Sequence, residues 1–440
     1  MPGFPTEFRG AWSACVYKID WPSKPGLSES TQKAQLVQML DKMAALNMNA
    51  IIFQVRPQAD AVYYSALEPW SGWVSGQMGR SPGYDPLQYC IQQAHARGIE
   101  VHAWFNPFRA SPNKNKYASA SHISRSAPHL VKQYGDYLVM DISRAEVRQH
   151  ALNVMMDVVR RYDIDGVHLD DYFYPYPKKG LGDFPDGRSP SQRRAYIDQY
   201  VSSLYSSVKG TKPWVRVGIS PFGIWKPGVP SGVEANVSAY DQLACDAPKW
   251  LRNGWVDYMM PQLYWRDHSA QSYSKLLSWW RGQGSRPVWP GIATSRINSS
   301  EDPGRPASEI THQVQLSRTV GRNWVGHAHW SAKALMQNRG GISTQLSRGA
   351  YAYPALVPPM PWIASAAPPV PAGRYSRGRL TWSTQDASKV AIQVLSQGQW
   401  IPYRVVPAYL ESVGIPTSAE AVAIRSVNRY GQTSAPIVLR

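Results

Sequence analysis

Apolar residues recur at every second position in eight short stretches of this chain, and at every third or fourth position between them. The period-two stretches, at 9–15, 50–57, 100–107, 165–173, 215–222, 256–265, 288–294 and 324–330, predict strands. The intervening patterns, such as 30–46, 86–97, 144–162, 191–209 and 240–253, predict helices. Within each strand the two faces differ. Ile51, Phe53 and Val55 oppose Gln54 and Arg56, and Val101, Ala103 and Phe105 oppose His102, Trp104 and Asn106. Val167 and Leu169 oppose His168 and Asp170, Val217 and Ile219 oppose Gly218 and Ser220, and Gln262 and Tyr264 oppose Leu263. The apolar face is expected against a ring of helices and the other inside a (β/α)8 TIM barrel. Polar groups gather toward the carboxyl ends of the strands, where barrel enzymes keep their sites. A doubly wound open sheet is the competing architecture, but no glycine-rich phosphate loop follows any strand.

The texture changes near Val357. Pro358, Pro359 and Pro361, then Pro368, Pro369 and Pro371, bracket small residues and predict a stiff linker. Short strand patterns follow at 379–382, 389–395, 400–405, 421–427 and 436–439, as in a small all-β sandwich. Val427-Asn428-Arg429-Tyr430-Gly431 resembles the last hairpin of fibronectin type III modules. The expected division is a barrel at 1–357, a linker at 358–371 and a fibronectin type III-like β-sandwich at 372–440.

The fourth strand carries the most chemistry. It ends in Asp170 and Asp171, followed by Tyr172, Phe173 and Tyr174. Paired carboxylates beside flat rings suit glycosidic bond cleavage, in which acids act at the bond and rings stack on sugar faces. Two such close acids do not ionise equally, so one can serve as a proton donor while the other stays charged. Most glycosidases place two acids on different strands. Here the other acids, Asp60, Glu68, Glu234 and Asp267, fall in loops. Adjacent acids instead suit a substrate whose own 2-acetamido oxygen is the nucleophile, with Asp170 orienting that group and Asp171 as acid/base. Gln54, Arg56, Trp104, Asn106, His168, Tyr172, Trp225, Gln262, Tyr264 and Trp265 are the expected substrate-binding residues. The loop at 60–84 adds Tyr63, Tyr64, Trp70 and Trp73 as a candidate stacking wall. Asp141 reads as a helix cap or loop anchor. His327-Ala328-His329, with His102 and His168, supports a rival reading as a metal-dependent amidohydrolase or deacetylase, weakened by the lack of a bridging acid.

Composition adds less. The chain has 440 residues, and its 18 Trp and 25 Tyr far outnumber its 8 Phe, which favours rings with a polar handle for carbohydrate contact. The net charge of +17 suits an anionic cell envelope. The basic residues are scattered and no nucleic-acid motif accompanies them, so no nucleic-acid partner is expected. Cys15, Cys90 and Cys245 are too far apart for a disulfide framework or zinc spacing. No cofactor, no bound metal and no membrane span are expected, and no export signal is visible in this chain.

Several ordered motifs recur in one bacterial family. They are Arg9-Gly10-Ala11-Trp12, Phe53-Gln54-Val55-Arg56-Pro57, Pro82-Gly83-Tyr84-Asp85-Pro86-Leu87, His102-Ala103-Trp104-Phe105-Asn106-Pro107 and the stretch 165–174. Gly218-Ile219-Ser220-Pro221-Phe222-Gly223-Ile224-Trp225 and Pro261-Gln262-Leu263-Tyr264-Trp265 complete the set. Over residues 7–335 the chain resembles the glycosyl hydrolase 10-like bacterial envelope proteins. The resemblance implies a barrel glycosidase, a periplasmic or secreted location, and a glycan of N-acetylated amino sugars such as peptidoglycan strands stripped of stem peptides. Gly326-His327-Ala328-His329-Trp330 departs from the family pattern. The expected protein is a monomeric glycoside hydrolase acting on a polysaccharide. The alternative is a cell-wall glycan-binding protein that kept the barrel without its catalysis.

Overall fold

A computed structural model describes residues 2–114, 117–170, 173–320 and 324–440. Asp171 and Tyr172 lie outside the described residues. Eight parallel strands are present among those described: β1 (Phe8–Ser13), β2 (Ala50–Arg56), β3 (Glu100–Phe105), β4 (Gly166–Leu169), β5 (Arg216–Ile219), β6 (Tyr258–Met259), β7 (Gly291–Ile292) and β8 (Gly326–His329). Their order is β7-β8-β1-β2-β3-β4-β5-β6. Parallel bridges from Met259 to Val288 and from Gln262 to Gly291 join the two ends of this order, closing the barrel.

Local chemistry starts the helices where it is needed. Ser28 Oγ accepts from the Thr31 amide ahead of Glu29–Ala45, and Asp85 from the Gln88 amide ahead of Pro86–His95. Ser189 and Gln192 form a capping box for Pro190–Thr211. The helix expected at 240–253 is instead two turns, Ala239–Gln242 and Ala247–Arg252. Ala244 between them has φ 53°, a left-handed conformation that ends one turn before Pro248 opens the next. The long loop after β3 forms its own sheet from Arg109–Ser111, Val131–Tyr134 and Tyr137–Met140.

Alternation along the strands sorts the side chains. Ile51, Phe53, Val55, Val101, Val167 and Val217 are buried in the main core. The opposite face fills the barrel in layers. Phe8 stacks on Trp289 at 4.2 Å, and Tyr258 stacks on Trp289 at 4.9 Å. Glycines make room for this interior. A Cβ on Gly218 would lie 1.9 Å from the Tyr258 ring, and one on Gly166 would lie 2.5 Å from His102.

A directed hydrogen-bond chain crosses the interior. The Trp12 indole N–H donates to His168 Nε2 at 3.2 Å. An indole nitrogen only donates, so Nε2 carries the lone pair and Nδ1 the proton of the neutral ring. Nδ1 then donates to the Tyr258 hydroxyl at 3.0 Å, and that hydroxyl donates to His102 Nδ1 at 2.8 Å. His102 Nε2 completes the chain on Glu100 Oε2 at 3.4 Å. Burial and the nearby His102 push the His168 pKa well below the ordinary histidine value, so the ring stays neutral.

After the barrel come two antiparallel sheets. Ala372–Ser376, Arg379–Ser383 and Ser412–Gly414 form one; Gln399–Pro407, Lys389–Ser396, Ala421–Val427 and Ile437–Leu439 form the other. Leu380, Trp382, Val390, Ile392, Val422 and Ile424 contribute to their common core. Lys389 reaches Glu100 at 3.2 Å, and Arg216 donates to the Pro358 carbonyl at 2.8 Å, so this unit meets the amino-terminal end of the barrel.

Gly218→Ala tests the packed interior. The added methyl meets ring carbons that have nowhere to go, so a loss of at least about 2 kcal/mol is expected in urea denaturation. Stability equal to wild type would contradict this packing.

Candidate active site

Asp170 follows the last residue of β4, where the Ser220 amide fastens the Leu169 carbonyl at 2.8 Å. Its side chain is buried at the carboxyl end of the barrel. Oδ2 accepts from the Trp104 indole N–H at 3.3 Å and from the Asn106 side-chain amide in a short hydrogen bond. Asn106 is in turn fixed by Gln54, whose Nε2 donates to Asn106 Oδ1 at 2.7 Å. Gln54 Oε1 accepts from the Cys15 and Val16 amides, both at 3.0 Å. A single chain of amides therefore runs from the end of β1 through β2 and β3 to the carboxylate after β4.

Aromatic rings lie beside this carboxylate. Trp330, the residue after β8, meets Trp104 edge-on at 6.0 Å and Trp12 at 6.1 Å, and stacks on Tyr264 at 6.5 Å. Trp330 and Tyr264 are half-buried, which leaves ring surface for a ligand. Trp330 and Trp12 were not among the residues expected from sequence. The signal that finds Trp330 is parity, because it falls in step with Gly326 and Ala328. The Cβ of Gly326 would point at Phe8 and Trp289 inside the barrel.

The other expected residues divide by depth. Gln262 is half-buried, and its amide donates to the Ser220 carbonyl at 3.1 Å. Trp265 is half-buried and meets Phe222 edge-on at 5.6 Å, with Tyr176 on the far side of Phe222. Trp225 packs elsewhere, stacked on Trp279 at 5.9 Å and covered by Lys226 at 4.8 Å. Asn106 is itself wholly buried, and three further expected contacts are enclosed. Gln54 is consumed by the amide chain, and His168 is wholly buried between Trp12, Ser220 and Tyr258. Arg56 is wholly buried behind Asn106, donating to the Asn106 and Pro107 carbonyls at 2.8 Å and pairing with Glu68 at 2.5 and 2.7 Å. These three reach a sugar only through the residues they hold. Asp171 and Tyr172 fall outside the described residues.

The remaining candidates also find places. In the loop after β2, Tyr63 is buried and Trp73 nearly so, whereas Tyr64 is exposed and Trp70 half-exposed. Glu68 is an ionised structural acid. Burial acts to raise its pKa, but the Arg56 charge and the His150 hydrogen bond outweigh burial and bring it down to about 2. Asp141 anchors the turn before Ala145–Arg161, accepting from Ser143 Oγ at 2.6 Å. The four histidines of the rival metal reading are split by the barrel wall. His102 and His168 point inward. His327 and His329 point outward, and both hydrogen-bond the Tyr351 hydroxyl. One ion cannot be shared between these two faces.

Comparisons with known proteins bear on the family and the fold. Residues 7–303 match the family described as glycosyl hydrolase-like 10. The chain is 39% identical over 412 residues to glycosyl hydrolase YngK of Bacillus subtilis (strain 168), spanning 88% of this chain and 79% of that protein. It is 35% identical over 302 residues to glycosyl hydrolase DigH of Escherichia coli (strain K12), spanning 62% of this chain and 69% of that protein. Among solved structures, the PgaB (BpsB) glycoside hydrolase domain from Bordetella bronchiseptica shares the fold at a TM-score of 0.52. It is 11% identical, over 78% of this chain and 98% of that one. An endo-1,4-beta-mannanase from Rhizomucor miehei does so at 0.50 and 14% identity, over 79% and 97%.

The Arg56–Glu68 pair makes a separate, measurable contribution. Glu68 has a folded pKa below its unfolded value of 4.5, so its stabilisation is present above pH 4.5 and lost as pH falls toward 2. Glu68→Gln leaves a buried guanidinium without its counter-charge, and a loss of about 3–5 kcal/mol at neutral pH is expected. Denaturation from pH 7 to 3 should show a shallower acid decline in the variant. Identical curves would contradict the assignment.

Proposed function

Because the chain belongs to the glycosyl hydrolase-like 10 family and is a glycoside hydrolase, we propose that it cuts an N-acetylated amino-sugar polymer, namely peptidoglycan strands stripped of their stem peptides. The observation that carries this reading is the Asp170 carboxylate, gripped by Trp104 and Asn106 beside the half-buried Trp330 and Tyr264 rings. A carboxylate oriented by fixed N–H donors, next to flat rings, suits a sugar whose face stacks while its acetamido N–H is held.

In the proposed reaction the acetamido carbonyl oxygen attacks the anomeric carbon, and the bond from that carbon to the leaving sugar oxygen breaks. Asp171 delivers the proton to the leaving oxygen. Asp170 accepts the acetamido N–H, which gains positive character as the oxazolinium ring closes. Water, deprotonated by Asp171, then opens the ring at the anomeric carbon and restores both the acetamido group and the acid. Asn106 and Trp104 keep Asp170 oriented, Gln54 and Arg56 hold Asn106 and its backbone, and Gln262, Tyr264, Trp265 and Trp330 line the sugar path. His168 belongs to the interior support of Trp12.

The same proposal places the enzyme in the cell envelope, where its basic surface suits anionic wall polymers. It treats 372–440 as a fibronectin type III-like module joined to the barrel (1–357) by the linker at 358–371. The three- and four-stranded antiparallel sheets support that reading.

Digestion of de-peptidated peptidoglycan, chitin and a neutral β-glucan tests the substrate and the residues together. The wild-type protein should cut the amino-sugar polymers and spare the glucan. Asp171→Asn and Asp170→Asn should each lower cleavage about 10²–10⁴-fold while sedimentation with the glycan persists. Preferential cleavage of the glucan would overturn the substrate. Wild-type turnover in both variants would overturn the residue assignment.

A further inference from the structure

We propose that Asp267, His268 and His312 form a binding site for one divalent transition-metal ion of the zinc type, bridging the loop after β6 and the helix Ala307–Thr319 that follows β7. Asp267 Oδ2 lies 3.3 Å from His312 Nε2 and 3.5 Å from His268 Nε2. The three ligand atoms all fall within 4.8 Å of one another. Zinc bonds of about 2.0–2.2 Å in a tetrahedron set neighbouring ligand atoms about 3.3–3.5 Å apart. Two of the three edges already have that length, and the third closes by a small rotation of an exposed imidazole. His268 is 87% exposed and His312 47%, so the fourth corner is open to water.

The carboxylate is prepared for this role. Its other oxygen, Oδ1, accepts from Ser272 Oγ at 2.9 Å, Ser274 N at 3.0 Å and Ser274 Oγ at 2.7 Å. These contacts turn Oδ2 toward the two rings, which lie nearly parallel at 26°. The two elements are already registered to each other. Glu309 Oε1 accepts from the Asp267 amide at 2.7 Å, and Gln313 donates to the Trp265 carbonyl at 2.9 Å. A donor set of two imidazoles and one carboxylate suits zinc, nickel or copper better than calcium or magnesium, which take oxygen ligands.

This site is separate from Asp170 and from the barrel histidines, whose ring nitrogens are turned to Tyr258 and Tyr351. Its consequence is mechanical. Trp265 stands two residues before Asp267 in the same loop, so a bound ion would stiffen that wall of the sugar path.

Titration calorimetry on tag-free protein with zinc chloride is the test. Wild-type protein should take up one equivalent, and both His268→Ala and His312→Ala should weaken uptake at least about tenfold. The exposed His268 makes the first variant safe for folding. Zinc should also raise the melting temperature of the wild type and of neither variant. Cobalt should give the intense visible bands of a tetrahedral site in the wild type alone. No uptake by the wild type, or uptake unchanged in both variants, would overturn the site.

Discussion

The Asp170 carboxylate is gripped by the Trp104 indole on the neighbouring strand and the Asn106 amide just past its end, and everything proposed for the site depends on that grip. Asn106 can offer its amide to Asp170 because Gln54 occupies the other end of that amide, and Gln54 can do so because the Cys15 and Val16 amides saturate its own oxygen. Four strand ends are thereby tied by side chains whose orientations are mutually determined. Aspartate at 106 could not substitute, since it would set a second acceptor against Asp170 in place of the amide donor. The chain also explains why wholly buried residues belong to a site that must meet solvent. They act by holding the outermost group.

The interior beneath the site follows the same logic. A barrel of this size must fill its centre, and here it does so largely with aromatic rings, most of which carry polar atoms. The penalty for burying those atoms is avoided because each finds a partner of the right sense along Trp12, His168, Tyr258 and His102. Direction matters in that chain, since an indole can only donate and so decides where the proton of His168 sits. Burial keeps His168, His327 and His329 far below the ordinary histidine pKa. Protonating them is therefore linked to unfolding, and stability falls as pH drops below the unfolded histidine value.

Much of this was legible in the residues. Strand-like runs locate all eight strands, and period-two alternation in five of them tells which side chains face inward, because a strand has only two faces. It pairs Trp104 and Asn106 with Asp170 for the same reason. Depth was not legible, since parity gives direction but not distance from the mouth. Arg56 and His168 read as sugar contacts, yet one is spent on Glu68 and the other on Trp12 and Tyr258. Trp330 follows a histidine pair that reads as a metal motif, although its own parity marks it as inward-facing. The break near Ala244 leaves no sequence signal, because helical periodicity runs through it and the left-handed residue is not a glycine.

The most direct measurement replaces the acetyl methyl hydrogens of an amino-sugar substrate with one, two and three fluorines and follows the cleavage rate. Fluorine leaves the ring and the leaving group alone while draining electrons from the acetamido oxygen. Neighbouring-group attack guided by Asp170 requires the rate to fall steeply along the series. A rate indifferent to fluorination would mean that the acetamido oxygen takes no part, and that Asp170 acts on the sugar by some other route.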